Sequence, residues 1–424
     1  MSLPSQPRRI VIAGASLAGL RAAQSLRAEG FAGDITLVGA EPRPPYNRPP
    51  LSKSVLTGDD DVTLPGDEVD AHWLGGRRAI SLDVAGRRVA VDDGSDLPYD
   101  GLVIATGARP RRLAEDQMGY AGVHVLRTVE HAQALRAGLG GVAGAAGRVV
   151  VIGGGFIGGE VASTARSLGA EVTLVEAGEL PMAGVVGEVA AGWLAEHHRR
   201  NGVELITGMR VVGLVGEGGE PGEGGEFGEG WESGEGRRLG AGRGARRVRA
   251  VRLDGGREVA ADLVVVAIGV VPNTEWLEGS GLTLDDGVVT DQALFAAPDV
   301  VAAGDVVRWP HGLFGERVRV EHWANANDQG LLAARNLLRG PAEAEPYAEV
   351  PGLGTRVHGA RVQWAGLPHL GDASHLVAGK AEDDKFAVAF TRGGILVGAA
   401  AVAFPKELNR LRRGIVAGSA LAAG

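Results

Sequence analysis

The chain has 424 residues and no cysteine. Without thiols it cannot build a disulfide scaffold, a zinc ribbon, an iron–sulfur cluster on its own side chains, a cysteine nucleophile or a CxxC redox centre. Any redox chemistry must therefore belong to a bound cofactor. We predict no metal site.

Positive charge and long apolar runs are also scarce. There are 43 Lys and Arg against 52 Asp and Glu, a net charge of −9, which argues against a nucleic-acid-binding face over the whole protein. No run approaches the roughly 18 apolar residues of a membrane span, and the stretch 10–20 is interrupted by Gly14 and Gly19 without a cleavage site. We predict a cytoplasmic protein that binds neither nucleic acid nor membrane.

One local pattern occurs twice, in residues 9–41 and 148–176. Each copy has a β-branched apolar run, a glycine-rich turn, an alanine-rich helical pattern, a second apolar run and a terminal glutamate. This order predicts a βαβ unit. Because the copies lie a domain's length apart, they predict two nucleotide-binding domains and argue against a solenoid of short repeats. The length alone predicts two or three domains.

The first glycine turn departs from the GxGxxG pattern. It contains Gly14, Ser16, Leu17, Ala18 and Gly19, so a serine stands at the middle position, where the backbone meets a phosphate. Gly14 allows the tight turn, Gly19 lets helix and strand pack closely, and the helix N-terminus offers N–H groups to a pyrophosphate. Glu41, near the end of the second strand, is placed to accept hydrogen bonds from ribose hydroxyls.

The second turn is a complete fingerprint. Gly153, Gly155 and Gly158 take the three glycine positions, with Phe156 and Ile157 between them, and Glu176 ends the following strand. A carboxylate there repels a 2′-phosphate, and no arginine cluster follows it, so the sequence favours NAD(H) over NADP(H).

Further strands are predicted between and after the two copies, at residues 87–91, 101–106, 263–268 and 300–303. The last ninety or so residues change character, with strand-like pieces at 361–364 and 386–390 and an arginine-rich helix at 406–416. They predict a separate α+β domain.

Residues 216–236 form a low-complexity segment with ten glycines and seven glutamates, and residues 237–249 then carry six arginines. Such a composition cannot bury enough apolar surface to offset its ordering entropy, so it predicts disorder. The alternative is that the acidic and basic halves pair as a hairpin or dock a partner.

Taken together, the motifs resemble those of a known family. In order they read GASLAG, PYNRPPLSK, ATGARP, GGGFIGGE, VEA, IGVVPN, AAGDV and VEHW. They are similar to the FAD-dependent pyridine nucleotide reductases, and more closely to the NADH-dependent ferredoxin reductases of bacterial P450 and Rieske oxygenase systems. The resemblance runs from about residue 8 to residue 330 and more loosely to the end.

The resemblance implies an α/β fold with two Rossmann-like domains and a C-terminal α+β domain. The FAD domain would be discontinuous, comprising residues 1–115 and 271–330. An NAD domain would be inserted at residues 116–270, with the low-complexity insertion at 216–247. Residues 331–424 would form an interface domain.

The resemblance also implies site residues. FAD would be held by Gly14, Ser16, Leu17, Ala18, Gly19, Glu41, Arg48, Lys53, Ala79, Ala105, Thr106, Gly107, Arg127, Asp305 and Trp323. NAD would be held by Gly153, Gly155, Phe156, Ile157, Gly158, Glu176 and Gly269. Lys53 and Glu160 would be catalytic, forming an ion pair beside the flavin in which the lysine charge stabilises the reduced ring. The alternative for this pair is a surface lysine and a glutamate that favours a helix N-terminus.

The implied activity is electron transfer from NADH through FAD to a one-electron acceptor, most often a small acidic [2Fe–2S] ferredoxin. The absent cysteine separates the chain from related thiol-dependent disulfide reductases and peroxidases. Exposed arginines would dock an acidic partner, and two clusters qualify: Arg109, Arg111 and Arg112, and Arg410, Arg412 and Arg413. For either cluster taken alone, a solvated surface is an equally good interpretation.

Two further departures leave alternatives open. Leu180 and Gly184 stand where the family usually has basic residues, and residues 352–356 (GLGTR) replace an aromatic-rich stretch that covers the flavin. A stand-alone flavoenzyme acting on a small metabolite, with no ferredoxin, is therefore the second hypothesis. A nucleotide-sensing interaction protein with a structural FAD is the third.

Overall fold

The computed structural model describes residues 8–64, 69–143, 147–217 and 246–421. Within these ranges the chain forms two compact units. The first comprises Met1–Asn47, Thr63–Arg109 and Val271–Pro351, and the second Arg48–Val62, Pro110–Val270 and Gly352–Gly424. The strands Ala108–Pro110 and Val270–Pro272 contain points where the chain passes from one unit to the other.

A six-stranded sheet forms the centre of the first unit. Its spatial order is Phe295–Ala297, Val300–Ala302, Gly101–Ile104, Arg9–Ala13, Asp34–Gly39 and His72–Gly75. All neighbours are parallel except the first pair, which is antiparallel. Ile10, Ile12 and Leu102 are fully buried, as expected of strands in a parallel sheet with both faces covered.

Two helices of the first unit pack closely together, Leu17–Ala28 and Trp323–Arg339. Small residues allow the approach, since a Cβ added to Gly330 would lie 2.4 Å from the carbonyl oxygen of Ala18. Ser25 also donates a hydrogen bond to the Leu331 carbonyl at 2.8 Å. Smaller sheets complete the unit: Ala79–Asp83 with Arg88–Val91 and Asp96–Pro98, and Val288–Val289 with Val307–His311 and Glu316–Val318. A 3₁₀ turn covers Glu275–Leu277.

The second unit contains a fully parallel five-stranded sheet. Its order is Val203–Thr207, Glu171–Glu176, Arg148–Ile152, Leu263–Val266 and Val123–Val125. An antiparallel sheet of Val211–Glu217, Arg247–Leu253 and Glu258–Ala260 packs apolar side chains into the same core. Its helices are Ser54–Thr57, Glu115–Met118, Val129–Ala143, Phe156–Ser167, Ala183–Arg200 and Pro405–Val416.

The last part of the chain contributes an antiparallel five-stranded sheet to the second unit. Its order is Gly352–Val357, Ala360–Gly366, Ile395–Val402, Lys385–Arg392 and Ala373–Lys380. The closing helix Pro405–Val416 buries Leu408, Leu411 and Ile415 and exposes its arginines. Short 3₁₀ turns cover Pro49–Ser52, Asp254–Gly256, Pro368–Leu370 and Ala381–Asp383.

The elements predicted from the two repeated patterns are confirmed. The strand, helix and strand of the first copy are Arg9–Ala13, Leu17–Ala28 and Asp34–Gly39. Those of the second are Arg148–Ile152, Phe156–Ser167 and Glu171–Glu176. The predicted terminal helix is also present. The boundary that the resemblance places at residue 331 falls inside the helix Trp323–Arg339, and the three-domain division stays a prediction.

Both ends of the predicted low-complexity insertion 216–247 lie in strands. Gly216 and Glu217 close one strand and Arg247 opens its antiparallel neighbour, with Glu217 opposite Arg247. Gly216 lies opposite Val248 in this pair. A Cβ on Gly216 would lie 2.2 Å from the Tyr120 ring, so this strand position requires glycine. The prediction of disorder, and its hairpin alternative, concern residues 218–245, which lie outside the described residues.

Candidate functional site: two glycine turns and a buried ion pair

The first glycine turn lies between the strand Arg9–Ala13 and the helix Leu17–Ala28. Gly14 has a φ of +114°, and a Cβ there would lie 2.0 Å from the Ala105 carbonyl oxygen. A Cβ on Gly19 would lie 1.8 Å from the Gly14 carbonyl oxygen. Both positions therefore require glycine, and the helix begins directly after Ser16 with N–H groups that have no acceptor within the helix.

The second turn repeats this geometry. Gly153 has a φ of +101° with its would-be Cβ 2.3 Å from the Ala267 carbonyl oxygen, and Gly158 would place a Cβ 1.8 Å from the Gly153 carbonyl oxygen. A Cβ on Gly155 would meet no atom within 4 Å. The middle position is thus open in the protein itself, which explains how Ser16 is accommodated in the first turn. Both cradles fit the pyrophosphate of a dinucleotide.

The two terminal glutamates differ in position. Glu176 is the last residue of its strand, and its carboxylate accepts hydrogen bonds from the Gly154 N–H at 2.7 Å and the Gly178 N–H at 2.8 Å. Glu41 lies two residues beyond its strand and accepts a hydrogen bond from the Tyr46 hydroxyl at 2.5 Å. Each carboxylate stands at the carboxyl edge of its parallel sheet, where ligands of such sheets bind.

A pocket of about 350 Å³ opens beside Glu176. It is lined by three glutamates, Glu176, Glu179 and Glu188, and by no lysine or arginine. The lining also includes Leu180 and Gly184, the two positions at which the resemblance implied basic residues. All charged side chains in the lining are therefore acidic.

The predicted ion pair between Lys53 and Glu160 is present. The Lys53 ammonium lies 2.6 Å from Glu160 Oε2, and the Glu160 side chain is only 7% exposed. Lys53 follows the 3₁₀ turn Pro49–Ser52, and Glu160 lies on the helix Phe156–Ser167 directly after the second glycine turn. A partly buried pair of this kind holds the lysine charge next to the helix that follows the second glycine turn.

Sequence reasoning missed the groups that hold this pair. Glu160 accepts hydrogen bonds from Ser52 Oγ at 2.5 Å and Thr355 Oγ1 at 2.6 Å. Ser52 could have been noticed as the neighbour of Lys53. Thr355 gives no local signal because it is 195 residues from Glu160 along the chain. A second missed contact is the stack of Phe156 on Trp364, with ring centroids 4.4 Å apart.

The remaining predicted FAD residues are spread over both units. In the first unit, Ala105, Thr106 and Gly107 form a turn in which Thr106 and Asn273 exchange two hydrogen bonds of 2.8 Å. Asp305 follows Gly304, whose N–H is bound by the buried Gln329 at 2.9 Å. Also in this unit, Ala79 begins a short strand and Trp323 begins its helix with 37% of its surface exposed.

In the second unit, Arg48 donates a hydrogen bond of 2.6 Å to the Arg127 carbonyl. Ile157 lies beside the glycine turn and is 40% exposed, and Gly269 has a φ of +90° with its carbonyl bound by the Arg111 N–H at 2.9 Å. These placements put the predicted NAD residues around one turn.

The two arginine clusters are exposed, and each is partly neutralised. Arg109 pairs with Glu275 at 2.5 Å in the first unit, and Arg410 pairs with Glu407 at 2.5 Å on the closing helix. Arg111, Arg112, Arg412 and Arg413 are exposed as well. Exposed pairs contribute little stability, so these side chains can exchange partners at little cost.

A histidine cluster lies in the second unit outside the predicted site. His198 Nδ1 and His358 Nε2 are 3.1 Å apart, and His197 Nε2 lies 3.1 Å from the Val357 carbonyl oxygen. Burial lowers the pKa of His198 to about 3 and that of His358 to about 4, and neighbouring histidines add to both shifts. These imidazoles are therefore neutral near pH 7.

Among the described residues, no cluster of three or more His, Asp and Glu side chains has an arrangement that could hold a metal ion. No helix in those ranges combines the length and apolar character needed to cross a membrane.

Comparison with known proteins agrees with this geometry. The family model described as pyridine nucleotide-disulphide oxidoreductase matches residues 8–330. The chain is 35% identical to rhodocoxin reductase of Rhodococcus erythropolis over 415 residues, covering 95% of this chain and 88% of that protein. It is 36% identical to the ferredoxin–NAD(+) reductase component of the p-cumate 2,3-dioxygenase system of Pseudomonas putida, covering 96% and 92%.

Among solved structures, the covalent putidaredoxin reductase–putidaredoxin complex is similar, with a TM-score of 0.85 and 28% identity, covering 98% of this chain and 94% of that one. The match extends over the antiparallel sheet and closing helix as well as the two glycine turns. The chain belongs to the pyridine nucleotide-disulphide oxidoreductase family.

Proposed function

We propose that the protein is an FAD-containing NADH:ferredoxin oxidoreductase that supplies electrons to an oxygenase. Its relatives include proteins named as reductase components of dioxygenase systems, and a similar solved structure is a reductase bound to putidaredoxin. The electron acceptor that this proposal assigns is a small acidic [2Fe–2S] ferredoxin.

The observation that carries the proposal is the buried ion pair of Lys53 and Glu160 in a chain without cysteine. A thiol–disulfide step on the protein is impossible, so its own side chains supply charge and position. When bound, FAD supplies the chemistry that links a two-electron donor to a one-electron acceptor. The Lys53 ammonium would stabilise negative charge on the reduced ring, and Glu160 keeps that ammonium in place.

For the first turn, we propose that Gly14, Ser16, Leu17, Ala18 and Gly19 bind the pyrophosphate of FAD and that Glu41 binds its ribose. The other FAD contacts of this proposal are Arg48, Lys53, Ala79, Ala105, Thr106, Gly107, Arg127, Asp305 and Trp323. Trp323 supports it by exposing a large apolar ring that a flat aromatic ligand could cover.

For the second turn, Gly153, Gly155, Phe156, Ile157, Gly158 and Gly269 are proposed to bind NADH, with Glu176 at the ribose. The pocket beside Glu176 supports NADH over NADPH, since its three glutamates would repel a 2′-phosphate and no cation in its lining would offset them. Glu160 of the lysine–glutamate pair follows this turn directly, on the helix Phe156–Ser167.

Two proposals concern the molecule's surroundings. Its exposed arginine clusters would attract an acidic ferredoxin and raise the association rate at low salt. A cytoplasmic location follows from the sequence prediction, and cell fractionation tests it. The three-domain division into FAD, NAD and interface domains is likewise proposed, and limited proteolysis tests its boundaries.

The deciding experiment is an anaerobic titration of the yellow holoprotein with NADH, followed by cytochrome c reduction with and without an acidic [2Fe–2S] ferredoxin. The proposal expects NADH to bleach the flavin and cytochrome c reduction to be fast only when the ferredoxin is present. If a small metabolite reoxidises the flavin and no ferredoxin does, the chain is a stand-alone flavoenzyme. If NADH leaves the flavin oxidised, both enzyme hypotheses are wrong and the hypothesis of an FAD-binding interaction protein is favoured.

A further inference from the structure

The carboxylate of Glu160 is held at both of its oxygens. Oε2 accepts hydrogen bonds from Lys53 and Ser52, and Oε1 accepts one from Thr355. All three contacts are 2.5–2.6 Å long, in the range of strong hydrogen bonds to an ionised acceptor. With both oxygens bound, the carboxylate cannot rotate without losing a buried contact, because Glu160, Ser52 and Thr355 are all buried.

Ser52 acts on both members of the ion pair. Its hydroxyl donates to Glu160 and accepts from the Lys53 ammonium at 3.2 Å. The third acceptor of the ammonium is the Pro49 carbonyl, at 3.0 Å. An ammonium has three N–H groups, so these contacts with Glu160, Ser52 and Pro49 use all of them.

The backbone of Ser52 is fixed as well. Thr164 donates a hydrogen bond of 2.9 Å to the Ser52 carbonyl. Glu160 and Thr164 are four residues apart on one helix and so share a face. One turn of the helix Phe156–Ser167 thereby binds both the side chain and the main chain of Ser52.

Thr355 reaches Glu160 from a different element. It lies on the edge strand Gly352–Val357 of the antiparallel sheet and is 3% exposed. This strand contains the GLGTR sequence that stands in place of the family's aromatic-rich stretch. Thr355 is therefore the contact by which that strand acts on the ion pair.

We propose that Ser52 and Thr355 are positioning residues that fix the Glu160 carboxylate and, through it, the direction of the Lys53 ammonium. The inference rests on the proposed function for its consequence, since a displaced ammonium would no longer face the flavin. Its structural content is that all three N–H groups of Lys53 are hydrogen-bonded, and this can be tested without measuring enzyme activity.

Chemical labelling measures that structural content. The chain has only four lysines, and Lys380, Lys385 and Lys406 serve as internal references in the same molecule. The FAD-loaded protein is acetylated with a limiting active ester, and the rate at each lysine is read by peptide mass spectrometry. In the wild type, Lys53 should react more slowly than the three references.

Substitutions then test each hydroxyl. Thr355→Val keeps the shape and removes the donor, and Ser52→Ala removes a donor and an acceptor. Each should raise the Lys53 acetylation rate by about tenfold, the factor carried by one hydrogen bond to a charged group. Thr355→Ser should restore the wild-type rate. Thr391→Val is the matched control, because Thr391 is a buried threonine of the same sheet bonded to His375.

Stopped-flow reduction by NADH adds the second measurement. Thr355→Val should slow flavin reduction with an unchanged NADH dissociation constant, and Thr355→Ser should recover the rate. A folded Thr355→Val protein that labels at Lys53 like the wild type overturns the proposal. A third outcome separates the two proposals. If the substitutions raise the Lys53 acetylation rate but NADH reduces the flavin of neither the wild type nor the variants, the positioning role stands and the proposed function is wrong.

Discussion

At the scale of single residues, the first prediction concerns Glu176, the residue that we propose binds a ribose. Its carboxylate bridges the N–H groups of Gly154 and Gly178 at the end of the strand. We expect Glu176→Ala to weaken NADH binding about tenfold, because a charged hydrogen-bond acceptor is lost. The substitution should also reduce the preference for NADH over NADPH. Fluorescence titration with both nucleotides measures this. Glu171→Ala, at the exposed start of the same strand, is the control, and an unchanged preference in Glu176→Ala would place the ribose elsewhere.

Lys53 carries the second prediction at this scale. Lys53→Met keeps the length of the side chain and removes its charge, so NADH should reduce the flavin at least about tenfold more slowly while FAD stays bound. Stopped-flow absorbance and the flavin content of the purified protein give both quantities. Lys406→Met removes an exposed lysine for comparison, and equal reduction rates in the two variants would refute the role of Lys53.

Residue-scale prediction from the sequence succeeded where motifs are local. The resemblance predicted the Lys53–Glu160 pair, and the structure contains it. The Ser52 and Thr355 hydroxyls were not predicted as donors to the pair, because the partner of a hydroxyl group is determined by the fold. Thr355 belongs to a strand 195 residues away along the chain, so no local motif could reveal its contact with Glu160.

At the scale of elements, the two glycine turns allow a paired test. A Cβ on Gly158 would strike the Gly153 carbonyl oxygen, whereas one on Gly155 would meet nothing within 4 Å. Gly158→Ala should therefore destabilise the fold by about 1–3 kcal/mol, because the helix must move away from the strand. Gly155→Ala should change stability by less than about 0.5 kcal/mol, yet weaken NADH binding by crowding the phosphate.

Urea unfolding and NADH titration of both variants measure the two effects. Equal stability of the two proteins would show that the close packing at Gly158 is not required. If Gly155→Ala binds NADH as tightly as the wild type, the pyrophosphate does not bind at this turn.

Elements were predictable where hydrophobic pattern and glycine placement agree, as in both βαβ units. The ends of the insertion were not, since Gly216 and Glu217 look like low-complexity sequence and become a strand only by pairing with Arg247–Leu253. Composition describes a segment by itself, and strand pairing depends on a partner that lies elsewhere in the chain.

At the scale of the whole molecule, the two repeats predicted two nucleotide-binding domains and the absent cysteine excluded thiol chemistry, whereas the flavin chemistry was implied by the family resemblance. They could not predict which segments form one compact unit, because the chain passes between units several times. Residues 48–62 show this, since they join the second unit through contacts such as Arg136 with Asp60 at 2.7 Å. Chain order does not reveal such contacts.

We expect the histidine cluster to make the stability of the fold depend on pH. In the folded protein burial lowers the pKa of His198 to about 3 and of His358 to about 4, against 6.5 for an ordinary histidine. The unfolded chain therefore binds protons below pH 6.5 that the folded chain excludes. The contribution of the neutral histidines to the free energy of unfolding is fully present above pH 6.5 and falls as the pH drops toward 4. For His198 alone the loss at pH 5 is about 2 kcal/mol.

His358→Asn tests this dependence. Asparagine tolerates the left-handed backbone at this position, where φ is +46°, so the turn should be kept while one excluded proton is removed. Urea midpoints between pH 7.5 and 5.0 should fall less steeply in the variant than in the wild type. His369→Asn replaces an exposed imidazole and should leave the slope unchanged. If the urea midpoints of the wild type and His358→Asn fall equally steeply with pH, the folded protein takes up these protons without unfolding. The neutral histidine pair would then not be needed to hold the helix Ala183–Arg200 against the strand Gly352–Val357.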